Sequence, residues 1–96
     1  MAQAAARRYE AAETELTVSV ALLESTLPED KLAAFRDGQR AWAAARESTA
    51  RLNADLVAEG GSMWPQIYYG TLREITENRV NELRLIAGSL YGSIRR

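Results

Sequence analysis

The chain contains no cysteine and no histidine among its 96 residues. Disulfides, thiol nucleophiles and zinc sites of the usual type are therefore excluded, as is imidazole acid–base chemistry. No apolar run approaches the roughly 20 residues needed to span a bilayer. A clear excess of either charge is also absent: 12 basic residues against 13 acidic ones leave a net charge of −1. That argues against nucleic acid as the main ligand, because phosphate binding relies on a cationic excess on some face. The basic pairs Arg7–Arg8 and Arg95–Arg96 read as solvated helix ends, and a helix C-terminus favours cations in any case. The opening Met-Ala-Gln-Ala-Ala-Ala-Arg-Arg lacks the apolar core of a signal peptide. It fits a cytoplasmic protein, or an exported one whose signal has been removed.

Hydrophobic residues make up 47% of the chain and charged residues 26%, an ordinary balance for a folded protein. Alanine, leucine, glutamate and arginine are abundant, and all four favour helix. Residues 1–96 are expected to form a single domain.

Three amphipathic stretches follow one another. Over about 4–25, Tyr9, Ala12, Leu16, Val20 (or Ser19), Leu23 and Leu27 recur at steps of three and four, one stripe of a helix. Val18, Ala21 and Leu22 broaden that apolar face. Thr26-Leu27-Pro28-Glu29 then signals a helix start, with Thr26 as cap, Pro28 in the first turn and Glu29 completing a capping box. The second helix, about 27–59, carries Leu32, Phe35, Trp42, Thr49, Leu52 and Leu56 as its stripe and ends at Gly60-Gly61. Ser62 is the next expected cap. The third helix, about 63–91, carries Trp64, Tyr68 (with Ile67), Leu72, Ile75, Arg79, Leu83, Ile86 and Leu90. Gly88 and Gly92 suggest fraying near its end. Short connections make successive helices antiparallel neighbours. The fold class is therefore all-α, a three-helix up-down-up bundle whose second and third helices are longest.

Polar residues interrupt two of the stripes. Gln39 and Arg46 share the seam of Phe35 and Trp42, and Arg79 sits between Ile75 and Leu83. A guanidinium facing a core has to be paired, and Glu13, Glu15, Glu74 and Glu82 are the acidic candidates. Gln39, Arg46 and Arg79 read as a structural polar network that fixes register, with a small-ligand pocket between the helices as the alternative. Arginine can also snorkel, laying its stem over the core with its head in water.

The densest aromatic stretch follows the only double glycine, Gly60-Gly61-Ser62-Met63-Trp64-Pro65-Gln66-Ile67-Tyr68-Tyr69. Its three aromatics cannot all face one core, and partly exposed Trp and Tyr are typical binding anchors. Ser62, Met63, Trp64, Tyr68 and Tyr69 are therefore the candidate partner-binding residues. The other reading is that Trp64 and Tyr68 pack the end of the bundle. Nothing resembles a catalytic constellation, a phosphate loop or a metal or cofactor site. A non-enzymatic binding protein is expected.

Several of these segments resemble the LprI-like lysozyme-inhibitor family of small bacterial helical domains. They are Gln39-Arg40-Ala41-Trp42 with Arg46-Glu47, Gly60-Gly61-Ser62, Ile75-Thr76-Glu77-Asn78-Arg79 and Glu82-Leu83. The family pattern reads much like Q-R-A-W, R-D, G-G-S, L-T-x-x-R and a closing E-L, in that order. Glu13-Thr14-Glu15-Leu16 is similar to the acidic-leucine segment that opens the family domain, with Thr17 where asparagine is common and Val20 where tyrosine is common. The resemblance covers about residues 12–85. It implies an extracytoplasmic protein that binds and inhibits a muramidase. It also implies a cysteine at each of two places that here carry Ala50 and Thr71. Their joint absence is what loss of a disulfide between the second and third helices would leave, and it weakens the expectation of export. The alternative function is a structural or adaptor helical module that self-associates or binds another helical protein.

Overall fold

The computed structural model describes residues 2–95, with side chains through Gly92. The expected Arg95–Arg96 pair lies outside the described side chains. Three helices follow in order: α1 (Ala2–Thr26), α2 (Glu29–Ala58) and α3 (Trp64–Arg95). The described residues contain no strand. The body measures 53 × 22 × 16 Å with a radius of gyration of 15.7 Å. A compact globule of this length would have about 12.5 Å, so the helices lie side by side as a slender bundle.

The connections explain the helix ends. Leu27 and Pro28 alone join α1 to α2. Pro28 itself takes the capping position, with φ −57° and ψ 149° and no side-chain cap. Its carbonyl accepts from the Lys31 and Leu32 amides at 2.9 and 3.1 Å. The expected Thr26 cap does not form. Thr26 is still within α1, and its hydroxyl donates back to the Leu22 carbonyl at 2.8 Å. Glu29 and Asp30 in the first turn suit the positive end of the helix dipole.

Between α2 and α3 the chain makes a type II turn over Ala58–Gly61. Glu59 has φ −53° and ψ 126°, Gly60 has φ +73°, and the Gly61 amide donates to the Ala58 carbonyl at 2.9 Å. This turn needs a left-handed residue at its third position, which glycine supplies without strain. Ser62 is not the cap of α3 either. Met63 stands between it and the helix, and the Met63 carbonyl accepts from the Ile67 amide at 3.0 Å.

Helix α3 is the central element, packing extensively on both α1 and α2, whereas the backbones of α1 and α2 approach each other only slightly. One half of the bundle has an apolar core of Leu16, Leu23, Val80 and Leu83, flanked by Val20, Leu27, Phe35, Trp42, Ala87 and Leu90. The other half is thinner and is filled by Ala12, Ala50, Ala54, Leu72 and the hydroxyl-bearing Thr76. The α2 stripe departs from expectation there. Thr49, Leu52 and Leu56 face solvent, and Ala50 and Ala54 are fully buried in their place. After Trp42 the inward seam advances by fours, through Arg46 and Ala50 to Ala54, because small alanines let α2 close upon α3. In α3, Ile86 turns outward at 38% exposure while Thr76 and Val80 point in. Val18 and Leu22, expected to broaden the α1 face, are exposed.

Candidate functional site

The turn and the start of α3 gather the aromatic residues. Trp64 stacks on Tyr68 with ring centroids 4.9 Å apart, one turn of helix apart on the same face. Tyr68 meets Tyr69 edge-on at 5.2 Å, and Tyr69 meets Tyr9 of α1 at 6.1 Å. All four rings are half-buried. Their polar atoms are tied to α2 and α1. The Trp64 indole N–H donates to Asp55 at 2.7 Å, the Tyr68 hydroxyl donates to Glu47 at 2.6 Å, and the Tyr9 hydroxyl donates to Glu13. Arg51 lies over the Tyr68 ring at 5.9 Å and donates to Glu47 at 2.6 Å.

These ties shift the acidities. Burial, then the bond to Glu13, pushes the Tyr9 hydroxyl up to about 12. Burial, then Glu47, does the same for Tyr68. The Tyr68 hydroxyl, then Arg51, holds the Glu47 carboxyl below the usual carboxylate range.

The polar seam lies directly alongside. Arg46, its side chain 15% exposed, donates through its guanidinium to Glu13 at 2.9 Å and to the Thr76 hydroxyl at 3.1 Å. It also lies over the Trp42 ring at 4.6 Å and the Tyr9 ring at 5.6 Å. Arg79 donates to Gln39 at 2.8 Å, pairs with Glu82 at 3.4 Å and lies 5.7 Å from the Trp42 ring. Of the expected acidic partners, Glu13 meets Arg46 and Glu82 meets Arg79, while Glu15 stands 3.8 Å from the Arg84 of α3. Gln39 and Arg46 line an open groove of about 350 Å3 between α1 and α2, with Leu16, Val20 and Trp42. Arg79 is not among its lining residues.

Trp64, Tyr68 and Tyr69 are thus brought together as a rigid stack, and Ser62 and Met63 sit beyond it on the exposed turn, Met63 at 43% exposure. The stack and the seam form one connected structure, joined where Arg46 reaches Tyr9 and Tyr9 reaches Tyr69. Sequence reasoning missed the joining residues Tyr9, Glu47, Arg51 and Asp55. Two signals for them existed, Tyr9–Glu13 and Glu47–Arg51–Asp55, each at the i, i+4 spacing of facing side chains. At the places where the family resemblance implies cysteines, Ala50 is fully buried and the Thr71 hydroxyl accepts from the Asn53 side chain at 2.8 Å. A hydrogen bond therefore links α2 to α3 there.

Comparison with known proteins is consistent with the chain's motifs. No curated protein and no solved structure matches it. The family model described as lysozyme inhibitor LprI matches residues 1–83, which include all of α1 and α2, the turn and the aromatic stack. The chain belongs to the LprI lysozyme-inhibitor family.

Proposed function

We propose that this chain is a non-catalytic protein ligand that inhibits a lysozyme-type muramidase, and that it presents the turn at residues 59–63, backed by Trp64, Tyr68 and Tyr69, to the enzyme. Family membership supports the inhibitor role. One observation carries the placement: every residue from 59 to 63 is exposed, while the type II turn and the half-buried stack beneath hold the backbone. A turn already fixed in shape loses little freedom on binding, so more of its contact energy appears as affinity. A convex edge of this kind also suits a partner whose own ligand site is a cleft. Asp55 and Glu59 place carboxylates beside the turn, which favours encounter with a cationic enzyme.

The test is a titration into a lysozyme assay on bacterial cell walls. The parent protein is expected to inhibit in proportion to dose. The double variant Ser62→Arg/Met63→Arg alters only exposed side chains and should weaken inhibition at least about tenfold with an unchanged circular dichroism spectrum. Trp64→Ala, shown to be folded, should weaken it as well by freeing the turn. Full inhibition by both variants would move the site elsewhere on the bundle. No inhibition by the parent at micromolar excess would remove the inhibitor reading altogether.

A further inference from the structure

The outer face of α2, turned away from α1 and α3, has an unusual composition for a surface in water. Leu52 is 60% exposed and Leu56 76% exposed, one turn apart. Along the same face towards the start of the helix run Ser48, Ala45, Ala41, Gly38 and Ala34, all exposed. Space for a side chain at Gly38 is open, with nothing within 4 Å of where its Cβ would stand. Steps of three and four keep these positions in line over most of the helix, the spacing at which two helices mesh. No charge interrupts them. Asp30, Lys31, Asp37, Arg51 and Asp55 are instead placed at the ends and along one edge, all exposed.

We propose that this face is where a second copy of the chain docks, α2 against α2 in antiparallel orientation about a two-fold axis. Two properties select that occupant. First, the face is complementary to its own reverse. Pairing Ala45 of one protomer with Ala41 of its partner sets Ser48 against Gly38 and the projecting Leu52 against the small Ala34, and symmetry repeats each contact. Second, the charges match in the same register. Lys31 comes level with Asp55 of the partner, and Asp37 lies across the edge from Arg51, giving four opposite-charge pairs over the dimer. A parallel pairing would instead set each charge level with its own copy and bring no opposite charges together across the face. The paired segment, residues 31–55, spans about 37 Å of helix. Existing side-chain bonds leave room for these pairs: Lys31 meets Asp30 at 3.6 Å in a solvent-exposed pair that leaves ammonium protons free, and Arg40 donates to Asp37 at Oδ1, leaving Oδ2. Arg51 donates to Glu47 through Nε and Asp55 accepts from Trp64 through Oδ1, so a terminal guanidinium nitrogen and Oδ2 remain for the partner.

Sedimentation velocity on the intact protein tests the proposal. The parent should shift from monomer to dimer with rising micromolar concentration. Ala45→Arg, at the closest approach and exposed in the monomer, should remain monomeric with an unchanged circular dichroism spectrum. Asp37→Arg should weaken the dimer several-fold, and Asp37→Arg/Arg51→Asp should restore it, because the reversed pairs match again. A parent that stays monomeric to millimolar concentration would overturn the proposal. So would a dimer indifferent to Ala45→Arg, or a double variant no tighter than Asp37→Arg alone.

Discussion

Arg46 shows how one side chain can join three helices. It is a long residue on an apolar seam, tolerable there because Glu13, Thr76 and two aromatic rings surround its guanidinium. Arg46→Met keeps the stem and volume but removes the donors. Glu13 is 34% exposed in its side chain and keeps its water, so the loss is smaller than for a fully buried pair. A destabilisation of about 1–3 kcal/mol is expected in urea unfolding. Stability equal to the parent's would mean that packing alone holds the three helices here. The tyrosines set the behaviour at high pH. Below pH 10 both Tyr9 and Tyr68 are protonated whether the chain is folded or not, and their contribution is fully present. Between pH 10 and about 12 the unfolded chain releases protons that the folded chain retains, so unfolding gains as pH rises. The melting temperature should be level through pH 9 and fall from pH 10 upward. Tyr9→Phe/Tyr68→Phe should flatten that fall. At the acid end Glu47 acts in the opposite sense. Its contribution is present above the ordinary carboxylate value of 4.5 and is lost as pH falls through its lower folded value.

At the scale of the elements, the three helices were legible because their apolar stripes are long and glycine and proline sit where the chain turns. Helix α1 kept its predicted stripe as far as Leu23, with Ala12, Leu16 and Leu23 buried and Tyr9 and Val20 half-buried. Helix α2 did not, for a physical reason: its inward residues beyond Trp42 are arginine and alanine, whereas leucines lie on its outer face. A pattern search that weights large apolar side chains follows Leu52 and Leu56 outward and misses the close approach at Ala50 and Ala54. The candidate site was legible as a cluster of residue types but not as a connected stack, since Tyr9 lies 60 residues before Tyr69 in the chain and only packing brings them together. Two substitutions test this account of α2. Ala54→Leu adds volume where the side chain has no exposure and should cost about 1–3 kcal/mol, read by chemical unfolding. Ala50→Cys/Thr71→Cys should form the α2–α3 disulfide that the family resemblance implies, visible as a thiol count of zero. Closing a loop of about 20 residues should then stabilise the chain by about 3 kcal/mol. Free thiols under oxidising conditions would show that the two helices do not face each other at these positions.

For the whole molecule, the bundle divides its cohesion unevenly. Leu16, Leu23, Val80 and Leu83 supply an apolar core in one half. Small residues, aromatic stacks and ion pairs hold the other half, which carries the exposed turn. A chain of this length has about 5–14 kcal/mol of stability in total, so the apolar half has little to spare. Leu23 is 1% exposed, and Leu23→Ala should cost about 3–5 kcal/mol through lost contact and the cavity left behind. The more informative question is where that loss is felt. Trp42 packs on the apolar core, so in a Trp42→Phe background the remaining Trp64 reports by fluorescence on the turn half alone, at the far end of the bundle from Leu23, whereas far-ultraviolet circular dichroism reports on all three helices. Helix α3 runs unbroken through both halves and is the element both other helices pack on, so melting it in one half removes the support of the other. The two signals should therefore fall together in the Leu23→Ala variant, at a midpoint well below the parent's. Tryptophan fluorescence that outlasts the loss of helix signal would show that the aromatic stack and its ion pairs stand alone. The turn would then owe its rigidity to its own half rather than to the bundle as a whole.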